Sequence, residues 1–525
     1  MKAPRTNHMT RCALPAGIAA SLLLPASMTS AGDSHEVIGL NALRARLVPE
    51  RLPTGSGYEL YSVNQQSPQG TYGPDQAHPE LDPMTFVQWG GVPGVNTFVT
   101  DLTIEVCGAS AGVAPGLDKV WINSISTWAN SLQPATPTAP PVSHPSVPDI
   151  VAITVPLGWS SASWNNAAIR KVDWLAVTYP QLFISSAGPN ATTTMTFSVP
   201  ICGYNTLVVG GENGDHQHGT VPATLDGAGR YTTSMVAPGN GLGATSLVTG
   251  AAALMFEVID LDPGVGTAPG SKSNWMRPLL MTATTHRSGW SNGAPQSGPN
   301  RGIATIPIDP LTGTDLLNID RAHEVLTGGR QQFQETLPPA PTIGRRGWDV
   351  IPGLNPNTSR YYRFRTVGVV DEVSITIGWH RIMNAVFSNP TVLNVDAALY
   401  RVGRDGSLES LTGTAGVGVF ESGNVASVST NYNIEHIYLR GLQPGEYVLK
   451  IDRIDTTAAP SLVGVAWWMS PSGPLGDLDT DGIVGASDLA LLLGGWGTGR
   501  ESDLDRDGIT GSADLALLLG AWSTN

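Results

Sequence analysis

The stretch that most constrains this chain is Val236 to Leu254, VAPGNGLGATSLVTGAAAL. A Gly-rich turn leads into very small side chains, Gly250 to Ala253, followed by Leu254, Met255 and Phe256. Side chains that small let neighbouring backbones approach closely, which predicts a helix buried at the centre of a large domain. Upstream, apolar runs alternate with helical spacing. Lys119 to Ser126, Asp149 to Gly158 and Gln181 to Ala187 read as strands, Asn165 to Ala176 as a helix, and Ala42 to Leu47 as a short helix. That alternation predicts a parallel sheet with crossover connections. A Pro-rich stretch, Gln133 to Pro148, reads as a surface insertion.

At 525 residues the chain is too long for one domain. Only 14% of residues are charged, and Gly (61) and Pro (40) are abundant, so the chain reads as turn-rich and ordered. A net charge of −14 argues against nucleic acid or an anionic membrane as partner. Lys2, Arg5 and Arg11 precede an apolar run, Ala13 to Met28, which ends at Thr29-Ser30-Ala31. This reads as an export signal, residues 1–31, cut after Ala31, and predicts a secreted or cell-surface protein with no membrane span in the mature chain. The mature chain keeps Cys107 and Cys202, and the sequence leaves their pairing open.

The APG at Ala237 to Gly239 and the tail LVTGAAAL resemble the segment around the nucleophile of subtilisin-like serine proteases, APG followed by G-T-S-x-A-T-P-x-V-A-G-A-A-A-L. Aligned without gaps, the tail puts Leu242 on the nucleophile and Ser246 on the family's Pro. The rival alignment makes Thr245-Ser246 the family's T-S, with Ser246 at a helix N-terminus where the dipole favours an oxyanion. A third reading has Thr245 or Ser246 simply capping the helix. HPEL, His78 to Leu81, resembles the H-P-D-L after the catalytic Asp; counting back lands on Thr71, with Asp75 reading as a turn residue. GVAPG, Gly112 to Gly116, resembles the G-V-A-P after the His-bearing helix, and the His position then holds Leu102, or Asp101 with a one-residue slip. FISSAGPN, Phe183 to Asn190, is similar to the family's A-A-G-N, which implies Asn190 as an oxyanion donor; a plain Gly-Pro-Asn turn is the rival. His216-Gln217-His218-Gly219-Thr220 lies in a Gly-rich loop, read as solvated, with a metal site on Asp215, His216 and His218 as the weaker alternative. NWMRPLLMTATTHR and LNIDRAHEVLTGG extend the resemblance, which covers about Gln69 to Gly329. Its scaffold pieces are clearer than its reactive ones.

From Gly347 to Trp468, short alternating segments such as VSITIGWHR and EYVLKIDRI are separated by turn signals, which predicts an antiparallel β-sandwich. His380 and His436 read there as surface or cross-strand residues.

The strongest motif is duplicated. GDLDTDGIVGASDLALLLGGW recurs as SDLDRDGITGSADLALLLGAW, with Asp503 standing 26 residues after Asp477. Each copy has the spacing of a twelve-residue calcium loop followed by a helix. Asp477, Asp479 and Asp481, the Ile483 carbonyl and Asp488 form one predicted ligand set; Asp503, Asp505, Asp507, Ile509 and Asp514 form the other. Four carboxylates around one point repel unless a hard cation neutralises them, and Ca²⁺ fits the spacing. Leu489, Leu492 and Leu493, with Leu515, Leu518 and Leu519, are expected to pack the two helices together, with Trp496 and Trp522 also packed. The pair resembles dockerin modules, which implies a cohesin-like or cell-surface protein as partner.

The expected organisation is therefore multidomain: a signal peptide at 1–31, a subtilisin-like α/β domain with a parallel sheet at 32–345, a β-sandwich at 346–470, and a small all-α EF-hand-like dockerin module at 474–525. Losing any triad member costs several orders of magnitude in rate, and all three positions are altered here. The expected function is a secreted calcium-binding modular protein whose subtilisin-like domain has lost its triad. The alternative is an active secreted serine endopeptidase using Ser246.

Overall fold

A computed structural model describes residues 31–88, 93–125, 127–128, 150–154, 166–179, 181–188, 203–217, 219–266, 272–388, 390–456 and 461–523. The signal segment before Ala31, the Pro-rich insertion, Asn190, Cys202 and His218 lie outside these residues.

Seven strands, all paired in parallel, build the first sheet in the order β2-β3-β1-β4-β5-β6-β7. They are β1 (Glu59–Asn64), β2 (Thr85–Gln88), β3 (Lys119–Ser124), β4 (Ile150–Thr154), β5 (Phe183–Ala187), β6 (Leu207–Gly211) and β7 (Met235–Ala237). Two short helices precede them, α1 (Ala31–Val37) and α2 (Leu40–Arg46). Crossovers carry α3 (Thr97–Cys107) between β2 and β3 and α4 (Asn166–Thr178) between β4 and β5. The small-residue run forms α5 (Gly241–Leu261), in which every residue from Gly241 to Val258 is buried. It is long and apolar enough to cross a membrane, yet it is enclosed by the domain. Gly250 shows why its side chains are small: a Cβ there would meet the Val113 Cβ at 2.6 Å.

Two further sheets follow, antiparallel except for the β8–β15 pair. One runs β14-β16-β11-β18-β9 and the other β10-β17-β12-β15-β8, with β13 (Leu408–Ser410) beside β12. The strands are β8 (Ile303–Ala304), β9 (Arg346–Leu354), β10 (Thr358–Thr366), β11 (Val370–Trp379), β12 (Val395–Val402), β14 (Ser422–Gly423), β15 (Ala426–Ser427), β16 (Ile434–Leu442), β17 (Gly445–Arg453) and β18 (Ser461–Met469). Their inner faces enclose an apolar core that includes Ile351, Tyr362, Trp379, Leu449 and Trp467.

The sandwich and the α/β region interlock. β8 comes from the α/β stretch and pairs in parallel with β15, and Ile343 belongs to the sandwich core. The helix α6 (Lys272–Thr282) lies against β11 and β18, with Trp275 stacked on Trp348 at 5.0 Å between centroids. This junction buries both histidines that read as surface or cross-strand residues. His380 shares a 2.9 Å hydrogen bond with Ser273, and His436 lies between Thr376 and His286. His436 is cross-strand from Thr376, as the alternation implied.

The C-terminal repeats form two loop–helix units ending in α8 (Ala486–Gly494) and α9 (Ser512–Gly520), separated from each other by the linker at 495–502. The helix α7 (Ile319–Thr327) belongs to the α/β region and meets the second unit, Arg506 donating to Asp320 at 2.7 Å. Leu492 and Leu518 are fully buried with Val484, and Leu489 and Leu515 are partly buried. Leu493 and Leu519 are not packed as expected but are 53% and 52% exposed, and Trp496 and Trp522 are also exposed. Consecutive helical positions are about 100° apart, so adjacent leucines cannot both face the partner helix.

Candidate functional site at the carboxyl end of the parallel sheet

In open parallel sheets, ligands sit outside the carboxyl ends of the strands, where the crossovers change direction. Here that point lies between β1 and β4, and α5 enters beside it. Asn240 caps α5: its side-chain oxygen accepts from the amides of Leu242 (3.1 Å) and Gly243 (3.0 Å). Neither Thr245 nor Ser246 is the cap. Ser246 sits further into the helix, 1% exposed, and its hydroxyl points back to the Leu242 carbonyl at 3.5 Å. Thr245 donates in the same way to Gly241 at 2.6 Å. A hydroxyl turned back onto its own helix is not presented at the helix end.

What the helix end does present is apolar. Leu242 packs with Leu102 of α3 and Ala187 of β5 in a separate buried cluster. These two leucines are the positions that the ungapped register sets on the nucleophile and the base. Thr71, where counting back from HPEL lands, lies in a loop, bonded to Ser67, and the strand β1 ends at Asn64, buried beside Ser62. Asp75 is a turn residue as read, accepting from the Ala77 amide.

Two further groups reach the head of α5. His216 is buried, not solvated, and its Nδ1–H donates to the Gly188 carbonyl at 2.6 Å. Burial lowers its pKa, so the ring is neutral. It holds a left-handed backbone (φ 58°), and a Cβ on Gly241 would collide with its ring. Asp215 accepts from the Asn213 side-chain amide at 3.0 Å, and His218, the third residue of the alternative metal reading, lies outside the described residues. Glu105, one turn along α3 from Leu102, lies against the first turn of α5, where a Cβ on Gly243 would stand 2.9 Å from its Oε2. Burial, with Asp101 nearby, pushes its carboxyl up to about 7, and its Oε2 has no hydrogen-bond partner among the described residues. Cys107, on the same helix, is a free buried thiol that donates to the Thr103 carbonyl, and burial pushes it up to about 12.

The C-terminal loops gather carboxylates instead. Oxygens of Asp477, Asp479 and Asp481 lie within 4.8 Å of one another, and so do those of Asp503, Asp505 and Asp507. Asp488 and Asp514 brace the loops: Asp488 accepts from the amides of Leu478, Asp479 and Gly485, and Asp514 from Leu504, Asp505 and Gly511. Burial and mutual repulsion raise Asp477, Asp479 and Asp507, and push Asp503 up to about 7. Converging oxygen donors that repel one another fit a hard divalent cation.

Among solved structures the chain is similar to a serine protease of Aeromonas sobria, at 12% identity and a TM-score of 0.33, covering 79% of this chain and 89% of that one. It is similar to the MycP3 protease of a type VII secretion system at 12% identity and TM-score 0.31, covering 55% of this chain and 87% of that one. A lanthipeptide protease matches at 12% identity and TM-score 0.33, covering 56% and 92%. No family model and no curated protein matches the chain. The class that fold and site define is a multidomain protein, mixed α/β with parallel and antiparallel sheets, with a helix N-terminus at the sheet's carboxyl edge.

Proposed function

We propose that this is a secreted modular protein whose subtilisin-like domain is a non-hydrolytic scaffold, and whose C-terminal loops bind two Ca²⁺ ions. The observation that carries the first part is the contact of Leu102 with Leu242 at the head of α5. Acyl transfer at that point needs a hydroxyl with an imidazole in hydrogen-bond reach. Two leucines supply neither, and Ser246 is turned away into its own helix. A fluorophosphonate probe should leave the purified mature protein unlabelled. Stable labelling that disappears in Ser246→Ala would establish the endopeptidase reading instead.

In the second part, Asp477, Asp479 and Asp481, and likewise Asp503, Asp505 and Asp507, would hold the ions, with the Ile483 and Ile509 carbonyls and Asp488 and Asp514 completing the loops. Bound Ca²⁺ supplies the charge that lets these carboxylates stay ionised together. Chelation should lower the melting temperature, and identical melting with and without calcium would remove the claim. Attachment to a cohesin-like or cell-surface partner is supported by repeated exposed apolar side chains: Leu491, Leu493 and Trp496 on one unit, and Leu517, Leu519 and Trp522 on the other. A calcium-dependent pull-down with a purified cohesin tests it; no retention, or retention insensitive to chelation, refutes it.

A further inference from the structure

A cleft of about 370 Å³ opens between the 287–296 loop and the β14–β16 edge of the sandwich, far in sequence from the loops and helix end described above. Its walls include Arg287, Trp290, Asn292, Gln296, Tyr438 and Arg440, and among the described residues no acidic one lines it. On a chain of net charge −14 this is a local exception.

The cleft is built rigidly. Trp290 donates its indole N–H to the Gly313 carbonyl at 2.8 Å, and Arg287 is paired with Asp315 at 2.6 Å. Asn292 bonds Asn424 at 3.0 Å, and Gln296 makes two bonds to the Gly423 backbone, donating at 3.2 Å and accepting at 3.0 Å. Tyr438 is backed by the buried His286 ring, stacked at 3.7 Å between centroids, and meets Trp290 edge-on at 5.0 Å. The Tyr438 hydroxyl in turn interacts with Arg440, an exposed guanidinium. Arg287 is already neutralised by Asp315, which leaves Arg440 as the group that meets an incoming anion.

We propose that this cleft binds an acidic saccharide unit, a hexuronate-type ring. A sugar ring offers a C–H face to the half-buried Trp290, and its hydroxyls meet the exposed Ser288, Ser291 and Ser422 of the rim, while the buried Tyr438 backs the floor. Its carboxylate matches the planar fork of Arg440. A plain aliphatic acid has no ring face for Trp290, and a neutral sugar lacks the charge that Arg440 can meet.

The test uses the intact protein, with trigalacturonate as the probe and saturation-transfer NMR and titration calorimetry as readouts. Trigalacturonate should bind, with affinity falling as salt rises. The carboxyl-reduced neutral trisaccharide should bind at least about tenfold more weakly, and Arg440→Gln should lose about as much affinity for trigalacturonate. Arg440→Lys should fall between, because it keeps the charge without the fork. Arg440 is exposed, so these variants should melt as the wild type does. No binding of trigalacturonate at millimolar concentration overturns the proposal, and so does undiminished binding by Arg440→Gln. A short peptide carboxylate that binds as well as trigalacturonate overturns the saccharide assignment.

Discussion

The two C-terminal repeats are near copies in sequence and stand in different surroundings. The first loop lies beside the 472–474 linker and Val367, with Asp477 half-buried. The second is pressed into the molecule: the Asp507 carbonyl accepts from the Val48 amide, the Arg506 carbonyl from Arg46, and Gly508 sits on Leu47 and Arg51. Asp503 is only 4% exposed. The residue that separates the loops is their fourth. Thr480 and Arg506 both hold left-handed backbone, at φ 56° and 65°, but Arg506 reaches Asp320 of α7 at 2.7 Å and Glu324 at 2.6 Å. The preceding linker adds an Asp262–Gly499 bond and Arg345–Glu501. Near-copies of one loop thus stand in unequal surroundings: the second is fastened to α2 and α7, and the first is more open to solvent.

The largest effect should come from unequal ligand removal. Asp503→Ala should lower calcium-dependent stability by about 3 kcal/mol or more, since it disables the buried loop and loosens the joint with it. Asp477→Ala should cost clearly less in the same calorimetric scan; equal losses would break the comparison.

Glu105 sharpens it from the other side, because this buried carboxyl stands without a ring of neighbouring acids. Its folded pKa, about 7, lies above its ordinary 4.5, so the protonated form stabilises the fold fully below the ordinary value and that contribution is lost as pH rises through about 7. Glu105→Gln should match the wild type below about pH 4.5 and exceed it above pH 7 by about 3 kcal/mol at most, the positive end of α5 reducing the gain. Denaturation across that range checks it, and a gain confined to acid pH would contradict the assignment.

Arg506→Thr, which gives the second loop the first loop's residue, should cost about 1–2 kcal/mol, because Glu324 is buried and loses a partner while Arg506 itself is partly solvated. Thr480→Arg should leave urea midpoints unchanged. The smallest effect is expected at Leu519→Ser and Leu493→Ser, within about 0.5 kcal/mol, against about 2–5 kcal/mol for Leu518→Ala or Leu492→Ala. A large loss at the exposed pair would mean that this face is covered.

Much of the architecture was legible because its causes are local. Alternation marked β3, β4 and β5 within a few residues, and the Gly-Ala run marked the enclosed helix α5. At the head of that helix legibility failed in specific ways. Asn240 is a strong cap by type, but the resemblance drew attention to Thr245 and Ser246 further along. His216 looked solvated because its neighbours are Gly and polar residues, yet it is buried by Gly188 and Gly241, which are distant in sequence and have no Cβ to hold it off.

The sequence alone determined the two carboxylate-rich loops, the apolar central helix and the alternation of strands, because spacing within a dozen residues sets which groups a turn, helix or strand brings together. The tertiary structure alone decided that Leu102 meets Leu242, that Ser246 faces its own helix, that Arg506 fastens one loop while Thr480 leaves the other open, and that Trp290 and Arg440 share a cleft. Those are contacts between segments far apart in the chain. They depend on how whole elements pack against each other, a choice no local pattern encodes.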